Sequence, residues 1–291
     1  MKSYLYAAIT VILWSSMPAV VKSLVSEIPN FQTITISSLF AFIFLLIVNY
    51  YTKQLAQFKY IRANELLTMA WFGFLGLFLY SVFYYYGLSQ LSSQEACVLN
   101  YLWPIMIVLF SAPILGEKLT RQKIVAILLS FGGIIVIAFG GGSNLSSASD
   151  SNIAAGIAGC IIAAACYGLF CVLNKKSRLN QQITMMIIWL TTTVCSLLVG
   201  VFVEEWVTLS AGQILGLIWL GVGINAIAYL TWALALEGAD NTARIANLAY
   251  LTLVLAIFVS TLLFNEPLAP SVIPALFLII AGILIQSLKL R

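Results

Sequence analysis

The stretch NYLWPIMIVLF, residues 100–110, carries an amide, a phenol and an indole, then a proline, inside an otherwise apolar run. Asn100 offers two donors and an acceptor, Tyr101 a hydroxyl on a flat ring, and Trp103 an N–H on a larger one. Pro104 has no backbone N–H, so within a helix the carbonyl near Asn100 is left short of its intrahelical partner. In hydrocarbon such a carbonyl must be satisfied by protein or water, which turns this segment toward an interior cavity. The four residues together make a wall suited to an amphiphilic molecule, held by ring contact and a few directed hydrogen bonds.

The chain around this wall belongs in lipid. Of its 291 residues, 62% are hydrophobic and 8% charged, and mean hydropathy is +1.04, whereas a soluble domain has roughly a quarter of its residues charged. Apolar stretches long enough to cross about 30 Å of hydrocarbon follow one another with short polar breaks. They give about ten spans, at 4–24, 32–51, 65–87, 95–115, 122–140, 153–173, 182–203, 213–236, 243–264 and 271–288, and leave no soluble domain. The first span is read as a retained helix, too long for the apolar region of a signal peptide and without a small-residue cleavage site after it. Five cysteines fall inside spans without CxxC spacing and read as small apolar packers. The chain contains no histidine, which excludes histidine metal sites and histidine proton relays.

Charge fixes the orientation. Lys2, Lys53, Lys59, Arg62, Lys118, Arg121, Lys123, Lys175, Lys176, Arg178, Lys289 and Arg291 fall on one side when the spans alternate, and that side is read as cytoplasmic. Glu27, Asp150, Glu204, Glu205 and Glu266 fall on the other. Both termini are therefore expected in the cytoplasm of a cell with the chain in its inner membrane. The net charge of +4 is accounted for by these retained cations and calls for no nucleic acid.

The Gly/Ser-rich stretch GGGSNLSSASDSN (140–152) divides the chain into similar halves. Trp14 and Lys22 match Tyr167 and Lys175 in spacing. NYLWPIMIVLFSAPILGEKL (100–119) aligns without a gap to AYLTLVLAIFVSTLLFNEPL (249–268), pairing Tyr101 with Tyr250 and Glu117 with Glu266. We read residues 1–140 as a first five-helix repeat, 141–152 as an extracytoplasmic linker and 153–291 as a second repeat. An odd number of spans per repeat places the two in opposite orientations, the arrangement of carriers that bind substrate near mid-membrane where the repeats meet.

With this layout, the aromatic and lysine in the first span of each half, and the GEKL and NEPL ends of the fourth and ninth spans, the chain resembles the EamA-domain branch of the drug/metabolite transporter superfamily. A narrower similarity, to YddG-type aromatic amino-acid exporters, rests on VILWSSMP (11–18), NYLWP (100–104), CVLNKKS (171–177) and the block at 228–252. The resemblance implies an all-helical basket of two inverted repeats, a central cavity lined by the first, third, fourth, sixth, eighth and ninth helices, and the fifth and tenth as supports. It implies alternating access without cofactor or metal, a small-molecule substrate and a lipid bilayer as partners. Monomer and homodimer both stay open.

Within this frame Asn100, Tyr101, Trp103 and Tyr80 are read as cavity lining. For Trp14, Tyr167, Tyr229, Trp232 and Tyr250 the cavity and membrane-interface readings stand side by side, whereas Tyr4, Tyr6, Tyr50, Tyr51, Trp189 and Trp206 are read as interface anchors. Pro18 and Pro104 are expected bending points without proline counterparts in the second half, so the two gates are expected to differ. Asn174 is a capping or gating residue. Lys22, Glu95 and Arg244 are ionisable groups near span ends, for which a functional role competes with snorkelling. No carboxylate sits mid-way in the first span, which disfavours the proton-for-cation exchange of small multidrug carriers and favours a neutral or zwitterionic substrate. The expected activity is export of aromatic or other amphiphilic amino acids. The alternatives are export of a purine, an amine or a drug, and, outside transport, a membrane enzyme or signalling subunit, against which the absence of paired acidic or HExxH motifs speaks.

Overall fold

The computed structural model describes residues 2–116, 121–140, 150–177, 179–237, 242–264, 268 and 270–287. Among them lie ten long helical segments, one short 3-10 helix at Gln54–Tyr60 and no strand: α1 (Lys2–Val25), α2 (Asn30–Tyr51), α3 (Ala63–Gln90), α4 (Ser93–Leu115), α5 (Arg121–Gly140), α6 (Asp150–Ser177), α7 (Gln181–Val203), α8 (Ala211–Trp232, continuing to Glu237), α9 (Thr242–Phe264) and α10 (Val272–Ser287). Seven of these, α1 to α4 and α6 to α8, contain stretches long and apolar enough to cross a membrane. Shorter apolar cores occupy α9 and α10 at Leu251–Leu262 and Val272–Gly282. α6 begins at Asp150, inside the stretch read as linker, whose first nine residues lie outside the described ones.

The packing maps onto itself when each of the first five helices is exchanged with the one five places on. α2 lies against α7, α5 against α10 and α4 against α9; α3 packs on α6 as α8 packs on α1, and α4 on α6 as α9 on α1. Hydroxyls cross the α2–α7 contact, with Thr35 Oγ1 donating to Ser196 Oγ at 2.9 Å and Thr193 Oγ1 to Ser38 Oγ at 3.0 Å. Small hydroxyl-bearing residues of this kind let membrane helices approach and bond where apolar contact alone gives little preference over lipid.

The symmetry fails where the sequence breaks it. α1 is interrupted at Ser16, with Pro18 the second residue of its second part, Met17–Val25. The Ser15 and Ser16 hydroxyls donate to the Ile12 and Leu13 carbonyls at 2.7 and 2.8 Å, satisfying acceptors in the distorted turn. Trp219 Nε1 of α8 braces the same break, donating to Ser16 Oγ at 3.0 Å. α4 is interrupted at Tyr101 and Leu102, with Pro104 second in the helix that follows. Their counterparts α6 and α9 run unbroken. The expected bends therefore lie in the first half alone, as the proline distribution requires.

A second distortion has no proline signal. α3 widens into a π-helix at Gly73–Leu79 and its counterpart α8 at Trp219–Ala228. The extra residue per turn leaves carbonyls poorly paired, and threonines supply donors: Thr10 and Thr231 each donate to the Ala228 carbonyl at 3.1 Å. Glycines permit the close passage of neighbours there. A Cβ on Gly221 would collide with the Ser37 backbone carbonyl of α2, and one on Gly76 with the Phe170 ring of α6.

Candidate functional site

Six helices close around a cavity of about 50 Å³ at the middle of the bundle. α1 brings Trp14, Met17 and Pro18 to it, and α3 brings Tyr80 and Tyr84. α4 contributes Asn100, Tyr101 and Trp103, α6 Tyr167, α8 Tyr229, and α9 Thr252 and Ala256. These are the first, third, fourth, sixth, eighth and ninth helices, while α5 and α10 pack against each other. A water needs roughly 10–15 Å³ of such space, so the cavity holds a few waters or one small polar group.

The local breaks aim these side chains. Ending the first helix of α4 at Asn100 and restarting it at Trp103 places amide, phenol and indole on one irregular turn. Asn100 Nδ2 donates to the Tyr80 hydroxyl at 3.1 Å. Tyr80 and Tyr229 are each the first residue after a π-helical stretch, and they stand in the same repeat register as Tyr101 and Tyr250. Ring contacts run through the site without a gap: Tyr84 stacks on Tyr80 at 5.6 Å, Tyr80 meets Tyr167 at 5.4 Å, and Tyr167 meets Trp103 edge-on at 5.4 Å. Trp14 packs edge-on against Tyr229 at 5.1 Å and, tilted, against Trp232 at 5.6 Å. Aromatic pairs of this geometry contribute about 0.5–1.5 kcal/mol each beyond buried area, a modest hold that also permits release.

Toward the lysine-bearing end of α6 lies a vestibule of about 650 Å³. Its upper wall is polar, made of Gln54, Gln57, Asn174, Lys175, Asn180 and Gln181, and its floor is Tyr167, Tyr229 and Trp232. Tyr167 and Tyr229 line both spaces, and their rings meet edge-on at 6.4 Å. This phenol pair separates the small cavity from the large vestibule. At the other end Lys22 Nζ donates to the Leu88 and Leu91 carbonyls, both at 2.7 Å. A cation on the carbonyl-rich C-terminus of α3 complements the helix dipole and ties α1 to α3.

The structure brings Trp14, Tyr80, Asn100, Tyr101, Trp103, Tyr167 and Tyr229 to the cavity, together with Pro18. Trp232 lines the vestibule instead, because it follows Tyr229 by most of a helical turn toward the lysine-bearing end. Asn174 Nδ2 donates to Gln181 Oε1 at 2.8 Å across the α6–α7 turn at the vestibule rim. Glu95 is buried, and its carboxylate accepts from the Ser92 hydroxyl at 2.8 Å while Ser92 Oγ accepts from the Glu95 backbone N–H, a capping box at the start of α4. Trp189, read as an interface anchor, is 3% exposed and packs edge-on against Tyr229 at 5.8 Å. The face of α7 that carries it turns inward onto α8, so burial overrides its position near the end of the sequence run. The side chains of Pro104, Arg244 and Tyr250 lie outside the described residues.

Sequence reasoning missed Thr252, Tyr84 and Cys97 as lining residues. A signal for Thr252 existed, since the aligned NYLW and AYLT segments place it opposite Trp103.

The EamA-like transporter family matches residues 1–139 and again 154–288, nearly the whole chain. The chain belongs to the EamA-like transporter family. Its relatives carry transporter names. An aromatic amino acid exporter, YddG of Ancylobacter novellus, is 29% identical over 57% of this chain and 57% of its own length, so the alignment spans little more than half of that exporter. YvbV, an uncharacterized transporter of Bacillus subtilis, is 26% identical over 70% of this chain and 66% of its own length. An uncharacterized transporter of Archaeoglobus fulgidus is 26% identical over 99% of this chain and all of its own length. A solved crystal structure superposes with a TM-score of 0.67, covering 98% of this chain and 96% of its own at 21% identity, which supports the fold. This chain of the EamA-like transporter family thus has the helices of a multi-pass membrane protein.

Proposed function

We propose that the protein is a secondary carrier that exports amino acids, aromatic or otherwise amphiphilic, across the inner membrane by alternating access. The observation that carries this reading is the aromatic-lined central cavity joined through the Tyr167–Tyr229 pair to a wide vestibule on the lysine-bearing side. Flat rings suit an apolar side chain, and the polar atoms among them suit a zwitterion. The two repeats, 1–140 and 153–291 with the linker 141–152 outside, rock about the cavity, with both termini cytoplasmic. Lys22 holds the outer side shut, and the bends at Ser16 and Tyr101 let α1 and α4 move against α3. Pro18 and Pro104 act as hinges, and Asn174 steadies the vestibule rim.

Export of a purine, an amine or a drug is the second reading, favoured by the same rings. Counterflow separates the two. Liposomes holding the purified protein and preloaded with unlabelled phenylalanine are expected to accumulate external labelled phenylalanine transiently. Accumulation driven by a preloaded purine or amine, and by no amino acid, replaces the substrate and keeps the carrier.

A further inference from the structure

Three buried polar atoms on the wall of the central cavity have no hydrogen-bond partner: Trp14 Nε1, Asn100 Oδ1 and Thr252 Oγ1. Asn100 and Thr252 are 8% and 3% exposed. An unpaired polar group in such surroundings costs about 1–3 kcal/mol, and two other polar groups at the same wall, Asn100 Nδ2 and the Tyr80 hydroxyl, are already paired. The orphans come from three helices, α1, α4 and α9, so no local backbone need explains them. They differ in kind: the indole is a donor only, the amide oxygen an acceptor only, and the threonine hydroxyl either.

We infer that these three atoms form a head-group site for an α-amino acid, with Asn100 Oδ1 accepting from the ammonium and Trp14 Nε1 and Thr252 Oγ1 donating to the carboxylate. The inference rests on the amino-acid reading above and narrows it, because it requires both charged groups on one small unit. A cavity of about 50 Å³ holds that unit but not a benzyl or indolyl side chain as well. The side chain then extends to the Tyr167 and Tyr229 boundary, beyond which the vestibule offers about 650 Å³. The rings of Trp14 and Tyr80 lend the ammonium cation–π attraction. The head group is therefore selected strictly and the side chain loosely, the opposite of a drug or purine site.

The test is a ligand series on the wild-type protein in liposomes, competing against labelled phenylalanine uptake: phenylalanine, phenethylamine without the carboxylate, 3-phenylpropionate without the amine, and methionine with a different apolar side chain. Losing either head-group charge is expected to weaken competition about tenfold or more, since each leaves a buried partner unpaired. Methionine is expected to compete within a few-fold of phenylalanine. Thr252→Val keeps the shape and removes the hydroxyl. It is expected to weaken phenylalanine and methionine and to leave phenethylamine unchanged. Equal competition by phenethylamine or 3-phenylpropionate, or uniform weakening of all four by Thr252→Val, overturns the head-group site while leaving amino-acid transport standing. Absence of any phenylalanine uptake by the wild type overturns the amino-acid reading, and the site with it. Should Thr252→Val fail to fold, the wild-type series alone decides.

Discussion

Tyr80 and Tyr229 hold equivalent places in two helices that run in opposite directions: each follows directly on a π-helical stretch, and each presents its ring to the central cavity. π-Helical turns recur at functional sites because they shift the side chains after them around the helix axis. Here the shift serves one cavity from both repeats. The space between the two rings is bridged by Tyr167, whose ring lies 5.4 Å from Tyr80 and 6.4 Å from Tyr229.

The barrier on the vestibule side is proposed to be the edge-on Tyr167–Tyr229 ring pair, so Tyr229→Ala, which removes the ring, should loosen it. An aromatic pair contributes about 0.5–1.5 kcal/mol beyond buried area, which corresponds to a several-fold increase in the open fraction. Cys97 lines the cavity and is buried, so its alkylation by an impermeant maleimide, located by peptide mass spectrometry, reports opening. The variant should be labelled several-fold faster from the vestibule side. An unchanged rate removes the phenol pair as the barrier.

The barrier on the side opposite the vestibule is predicted to depend on Lys22. Hydrogen bonds from a charged donor contribute about 1.5–3 kcal/mol, and Lys22→Met gives up two, to Leu88 and Leu91, while keeping the apolar stem. Cys97 labelling from the side opposite the vestibule should rise about tenfold or more. Labelling that rises only from the vestibule side would place Lys22 in a packing role.

How much of this could be read in the sequence differs by feature. The spans were legible because lipid demands apolar runs: 32–51 is found as Asn30–Tyr51 and 182–203 as Gln181–Val203. The breaks at Ser16 and Tyr101 were legible because proline forces them. The π-helical stretches were not, since a π turn is held by partners from other helices, such as Thr10 on the Ala228 carbonyl. Glu95 was read as an ionisable group near a span end, and its capping role was missed although Ser92 three residues earlier carried the signal. Trp189 was misplaced because distance from a span end says nothing about which way a helix face turns.

Close passage at the π-helical stretch of α8 predicts an asymmetry between glycines. Gly221→Ala drives a methyl into the Ser37 backbone, which cannot yield as a side chain could, and should lower stability by about 1–3 kcal/mol. Gly212→Ala, in the first turn of the same helix with nothing nearby, should be neutral or slightly stabilising. Thermal unfolding in detergent compares them, and equal midpoints would contradict the packing described.

Glu95 is assigned a structural part. Glutamine completes a capping box as well as glutamate does, so Glu95→Gln should retain both melting temperature and flux, whereas Glu95→Ala should cost about 0.5–2 kcal/mol. Loss of flux in a folded Glu95→Gln variant would instead make this carboxylate a proton carrier.

Substrate is expected to pass through the aromatic cavity, and uptake of radiolabelled phenylalanine, tryptophan and threonine into liposomes reads that passage. Wild type, Trp103→Ala and protein-free liposomes are compared at matched protein insertion. Saturable uptake of the aromatic amino acids is expected for the wild type, and its loss for Trp103→Ala. Uptake that Trp103→Ala leaves untouched would contradict passage through the cavity.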